Sequence, residues 1–314
     1  MTLLRFTGLF VLWLVSPAEA QVSVVATTPT IADIVRQVGG EHVDVQSIIR
    51  GPENPHNVIA KPSFVMKLRR ADLFVHAGLD AEPWVPLLVK SARKSRLLMG
   101  GRDNIDASRG VVIKEVPSRG ELSRANGDIH AHGNPHYLLD PSNGLIVATR
   151  LAAVLAQRDP PHREGFERNL AAFIERMKAL ERELDAMMKP WRGAKVVTYH
   201  RAWRYFLDRF GLEKVAEVEP KPGITPWPGH LAECIAKMSA EGAKVVIVET
   251  YSSKKSAEFV AARAGGVSVV LSQEVRAVKA VETYEQLMRH NVRTVVNALE
   301  LFHAGSAGDD RGSP

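Results

Sequence analysis

The segment REGFERNLAAFIERMKALERELDAMMK, residues 163–189, decides how the rest of the chain is read. Phe166, Leu170, Phe173, Ile174, Met177, Leu180, Leu184 and Met187 recur at three- and four-residue steps. Glu and Arg/Lys fill the positions between, and no Gly or Pro falls between Phe166 and Lys189. This period predicts one amphipathic helix about 35 Å long, at ~1.5 Å per residue. Asp159-Pro160-Pro161 breaks the chain before it and Pro190 stops it.

Both flanks of this helix alternate short β-rich runs with helical patterns. Before it, VSVVATTP (22–29), VDVQSII (43–49) and LFVHAG (73–78) read as strands, and VVIKEV (111–116) as a further strand or edge. Helices are expected at 31–39, at 62–70, from Glu82 to about Lys94, and from Pro141 to about Gln157 with Asp140 as N-cap. After the helix, strands are expected at 194–200, 214–219, 243–250 and 267–271. Helices are expected there at 202–210, 230–242, 255–265 and 281–302. The expected fold class is therefore α/β, with two lobes, each a mainly parallel sheet flanked by helices, joined by one long rigid helix. The boundaries are an N-terminal lobe at 21–159, the linking helix at 160–190, a C-terminal lobe at 191–304 and a disordered tail at 305–314. A helix tying two lobes is stiff, so ligand-linked motion should be small.

Residues 1–20, MTLLRFTGLFVLWLVSPAEA, read as a secretory signal peptide: an early Arg5, the apolar run Phe6–Val15, and Ala18-Glu19-Ala20 before the cut. The run is far short of the ~20 residues that span a bilayer. Cys234 is the only cysteine, so no disulfide framework forms within one chain and no cysteine stands near residue 20 to carry a lipid. The expected product is a soluble periplasmic monomer without a lipid anchor. Net charge is +6, but the cations are scattered and aromatics make up 6% of the chain. A nucleic-acid surface calls for clustered cations with stacking rings.

Eleven histidines are present, and three stand out. His42, His162, His230, His290 and His303 sit in polar or helical contexts, and His76 lies within a strand. Asn-Pro-His, in contrast, occurs twice, at 54–56 and 134–136, and His200 ends the strand KVVTYH. In open α/β folds ligands bind beyond the carboxyl ends of strands. His56, His136 and His200 all fall on such an edge, two from the first lobe and one from the second. Proline before His56 and His136 restricts the backbone. Three neutral imidazoles plus one oxygen fit tetrahedral Zn²⁺, whereas Mn²⁺ calls for more carboxylate oxygen.

Four stretches, NPHNVIAKPSFVMKLRRADLFVHAGLDAEPWV, GNPHYLLDP, VVTYHRAWRYFLDRFGL and KVVIVETYSS, occur in this order around the long helix. Together they resemble the zinc/manganese solute-binding proteins of ABC transporters (cluster A-I, the ZnuA/TroA type), over about residues 22–302. The resemblance implies a binding protein rather than an enzyme. Such a protein captures a divalent metal, Zn²⁺ in preference to Mn²⁺, and hands it to an inner-membrane ABC permease with its cytoplasmic ATPase. It also implies His56, His136 and His200 as metal ligands. The family often supplies an Asp after the last strand of the second lobe, but LSQEVRAVKAVETY has none. Glu274 is the nearest carboxylate, with Gln273 and Ser272 as weaker options. Glu249 is either a ligand or a residue that orients one. Zinc-selective members often carry a His- and acid-rich loop in the first lobe. The shorter insert at 118–136 holds Asp128, His130 and His132, read as an accessory rim site that collects metal. The competing readings are a three-His zinc hydrolase, a manganese-specific member of the same family, an adhesion protein, and a receptor for an organic ligand. No HExxH helix and no Ser or Cys nucleophile motif supports the hydrolase.

Overall fold

The structure is a computed structural model, and it describes residues 21–306 except 119 and 121–129. The signal-peptide segment, Asp128 and the tail from 307 lie outside the described residues. The first sheet comprises β1 (Val22–Ala26), β2 (Val43–Ser47), β3 (Leu73–His76) and β4 (Asn104–Asp106), in the order β2-β1-β3-β4 and wholly parallel. The second comprises β5 (Lys195–Thr198), β6 (Glu213–Glu217), β7 (Val245–Glu249) and β8 (Val267–Leu271), in the matching order β6-β5-β7-β8 and also parallel. Parallel strands need crossovers, and helices supply them.

Helices α1 (Pro29–Gly39), α2 (Pro62–Arg70), α3 (Val85–Ala92) and α4 (Pro141–Arg158) accompany the first sheet. Helices α6 (Arg204–Phe210), α7 (Pro228–Ala240) and α8 (Lys254–Arg263) accompany the second. Each start has a local cause. Thr28 Oγ1 accepts from Ile31 N ahead of Pro29, and Asp140 Oδ1 accepts from Ser142 N ahead of Pro141.

Between the lobes runs α5 (Arg163–Met188). It buries Phe166, Phe173, Met177, Leu180, Leu184 and Met188 along one stripe. Leu170 and Met187 only flank that stripe, because the 3.6-residue period carries Met188 to the centre. One apolar core runs from β1 and α1 through α4 and α5 to Val245, Ile247 and Leu271 of the second sheet, so the lobes are not separately packed. The terminal helix α9 (Tyr284–Ser306) joins the same core instead of serving the second lobe alone. Tyr284 N donates to Asp33 Oδ2 on α1 at 2.8 Å, and Tyr284 Oη donates to Leu138 O at 2.8 Å. Tyr284 lies so close to α4 that a Cβ on Gly144 would stand 2.2 Å from its ring. Phe173 sits at the centre of α5 with no exposed surface. Phe173→Ala should therefore cost about 3–5 kcal/mol, read as a lower midpoint in urea unfolding with little change in slope.

Residues 111–116 are not a strand. They run as irregular backbone held by side chains of the other lobe: Tyr205 Oη accepts from Lys114 N at 3.0 Å. The fourth strand is the three-residue Asn104–Asp106, too short to carry an alternating pattern. Among the described residues no helix is long and apolar enough to cross a membrane.

Candidate metal centre

The carboxyl ends of both sheets face one crevice, and three histidines enter it from different elements. His56 and His136 arrive by the same local device. Asn54 Oδ1 accepts from His56 N at 2.9 Å, and Asn134 Oδ1 accepts from His136 N at 2.9 Å. Each Asn thus closes a side-chain turn over its proline. The first turn is pinned by Trp84 Nε1, which donates to Pro55 O at 2.8 Å. The second is pinned by the opposite lobe: Asn134 Nδ2 donates to Arg201 O at 2.9 Å, and Tyr205 Oη donates to Asn134 O at 3.2 Å. Trp203 and Tyr205 are core residues.

His56, His136 and His200 each offer one ring nitrogen, and these three atoms lie within 4.8 Å of one another. Among the described residues no other group of His, Cys, Asp and Glu converges in this way. Ring centroids are separated by 5.3 Å (His56–His136), 5.8 Å (His136–His200) and 6.2 Å (His56–His200). The Nε2 atoms of His56 and His136 are buried without a hydrogen-bond partner among the described residues. Buried polar atoms are normally satisfied, and two such nitrogens this close together suit a cation.

Second contacts fix which nitrogen faces inward. His56 Nδ1 donates to Ala81 O at 2.8 Å, which leaves Nε2 as the basic atom. His200 Nδ1 meets Glu219 Oε2 at 2.5 Å. Burial, then His130 and His200, push His56 down to about 3. Burial, then the surrounding imidazoles, hold His136 well below its usual value. Burial also pulls His200 down, but its hydrogen bond to Glu219 and the charge of Glu249 outweigh it and raise His200. Two rings are therefore neutral and ready at neutral pH, and the third carries its own carboxylate.

The carboxylates named from the sequence have other partners. Glu274 borders the same cavity as His56 and His136 but accepts from Thr30 N at 3.0 Å and from Thr30 Oγ1 at 2.5 Å. There it caps the N-terminus of α1 from the other lobe, and burial pushes it up to about 7. Glu249 is fully buried, with Oε1 accepting from Trp203 Nε1 at 2.5 Å and Oε2 from Ser252 at 2.8 Å. The residue that orients His200 is Glu219. Sequence reasoning missed it, although it ends the expected strand at 214–219, two residues past β6, and β6 lies beside the strand that delivers His200. Gln273 Oε1 accepts from Tyr251 Oη at 2.7 Å, and Ser272 donates to Glu274 O at 2.7 Å. Of the rim residues, His132 Nε2 stands 3.3 Å from Asp80 Oδ2, an exposed pair. His130 lies much nearer the centre, 4.7 Å from His56 between ring centroids.

A model of the family described as ZnuA, zinc-uptake complex component A periplasmic, matches residues 24–298. The chain belongs to the ZnuA family. The zinc-binding protein AdcA of Streptococcus pyogenes serotype M3 is 26% identical over 288 residues, which is 88% of this chain and 56% of AdcA. The chain thus spans little more than half of that curated relative. A crystal structure of ZnuA aligns over 89% of this ZnuA-family chain and 99% of its own, with a TM-score of 0.74 and 24% identity. The solute-binding protein FpvC from Pseudomonas aeruginosa, in complex with Mn²⁺, aligns over 90% and 99%, with a TM-score of 0.76 and 24% identity. These two likenesses are of fold, and they match the paired parallel sheets of this ZnuA-family member.

Glu219→Gln should weaken divalent-metal binding by about 10–100-fold, as loss of such an orienting carboxylate generally does. Competition against a chromophoric chelator at pH 7.5 measures it.

Proposed function

We propose that this protein captures a divalent metal ion, with zinc as the cargo, between its two lobes outside the cytoplasm. It then delivers the ion to an ABC permease driven by a cytoplasmic ATPase. The observation that carries this reading is the convergence of His56, His136 and His200, two with buried unpartnered Nε2 atoms. The ZnuA-family match supports binding and not turnover, and among the described residues Glu274, Glu249 and Glu219 are each engaged in hydrogen bonds.

Zinc is favoured over manganese because the converging donors are all nitrogen. Imidazole suits Zn²⁺, whereas Mn²⁺ prefers carboxylate and water. The FpvC neighbour bound to Mn²⁺ keeps manganese as the second reading. Purifying the secreted chain without chelator and measuring bound metals by mass spectrometry tests both. Near-stoichiometric zinc, lost in His200→Ala, supports the proposal. Manganese in the same position supports the second reading, and a chain that stays empty when offered either ion refutes both.

A further inference from the structure

We propose that the end of the first lobe opposite the crevice is a docking surface for an anionic phospholipid bilayer. It is independent of the metal site. Cations dispersed along the sequence gather there when the chain folds. Residues 62–103 hold eight Lys and Arg against four Asp and Glu. Two of the acids belong to the crevice end: Asp80 faces His132, and Glu82 borders the cavity of His56. The other two, Asp72 and Asp103, immediately precede β3 and β4 and so mark the amino ends of the sheet. Arg158 Nη2 donates to Asp72 Oδ1 at 2.6 Å. Arg96 Nε stands 3.1 Å from Asp103 Oδ2, and Arg102 Nε 3.8 Å from Asp103 Oδ1. Lys94 Nζ donates to Arg69 O at 3.4 Å, which joins the end of α2 to the turn after α3. Four cations thus share two carboxylates. Burial, then the neighbouring Arg96, holds Lys94 below its ordinary value.

Helices α2 and α3 both run back from the carboxyl ends of the parallel strands, so their C-termini arrive at this same end. On α2, Arg69 and Arg70 follow Met66 by three and four residues, and on α3 Lys90 follows Leu87 by three. Each helix therefore shows apolar and basic side chains on one face. Leu98 and Met99 continue the surface between Arg96 and Arg102. Met66, Leu87, Leu98 and Met99 are 41–64% exposed. Cations interleaved with exposed aliphatic side chains suit a charged headgroup layer above hydrocarbon. A nucleic acid would call for stacking rings, and the exposed apolar side chains of this surface include no aromatic ring. A groove of about 300 Å³, lined by Leu73, Arg102, Asp103, Val154, Gln157 and Arg158, opens at the same end and is large enough to admit a phosphate headgroup.

Co-sedimentation of the full chain with lipid vesicles tests this. The unaltered chain should pellet with vesicles rich in phosphatidylglycerol and not with pure phosphatidylcholine, and high salt should release it. Each basic side chain near such a surface contributes roughly fivefold to the partition, so the triple variant Arg69→Gln, Arg70→Gln, Arg93→Gln should bind about a hundredfold more weakly. The triple variant Lys237→Gln, Lys254→Gln, Lys255→Gln removes the same charge from exposed positions of the second lobe. It should stay within about twofold of the unaltered chain. Both variants should keep the unaltered Tm. Equal losses in the two variants would reduce the effect to net charge and overturn the proposal. A chain that stays in the supernatant with either lipid overturns it too. So does a chain that ignores the vesicles yet binds polyglutamate through the same three arginines, since that assigns the surface to an acidic protein.

Discussion

His136→Ala should lose zinc affinity by roughly a hundredfold or more, up to just under a thousandfold, while leaving the metal-free fold as stable as before. Zinc held by a full protein ligand set is worth about 10–16 kcal/mol, so one donor in four carries roughly 2.5–4 kcal/mol. Each 1.4 kcal/mol is about tenfold in Kd. His136 is the ring to choose because its Nε2 is buried with no protein partner. Truncating it removes an unsatisfied buried atom from the apo protein, so the only loss appears when metal is offered. In the unaltered chain, excess zinc raises Tm by mass action on the folded state. In the variant most of that rise disappears. An apo Tm that fell by as much as the holo Tm would mean that His136 is a packing residue.

The second large effect is with pH. Zinc must displace every proton on its ligands, so the slope of log affinity against pH counts the protons released. Three ordinary imidazoles would give a slope of three below pH 6.5. His56, pushed down to about 3, and His136, held well below its usual value, are neutral throughout the mildly acidic range and contribute none. His200 is raised, so it gains its proton first, already somewhat above the usual histidine value. Affinity should therefore fall on acidification by about tenfold per pH unit, one proton from His200. The sign for the empty protein is opposite. A raised His200 stabilises the fold fully below pH 6.5, and that contribution fades as pH rises through its folded value. Isothermal titration between pH 8 and 5.5 reads the slope. A slope of three, or none, contradicts the electrostatics described here.

Local grammar made most of the fold readable from the residues. The expected helix at 62–70 and strand at 267–271 coincide with α2 and β8, and Asp140-Pro141 marks the start of α4. Periodicity found α5 because a long stripe repeats its signal many times. It failed at 111–116, where a β-branched run is held by Tyr205 instead of a neighbouring strand, and at β4, which has three residues. The trio of histidines was readable because strand ends and the repeated Asn-Pro-His advertise it. What surrounds it was not. Glu274 is occupied by Thr30, 244 residues away, and no sequence pattern records such a contact. Glu219 meets His200 only because β6 and β5 are neighbours.

On the proposed function, imidazoles from both lobes meet at one divalent ion. A crystal of the chain grown with zinc, with anomalous differences collected on both sides of the zinc edge, tests it most directly. One peak in the crevice, about 2.0–2.1 Å from a nitrogen of His56, His136 and His200 alike, is the predicted result. A peak bound to only one of these rings, or seated away from the crevice, would contradict it.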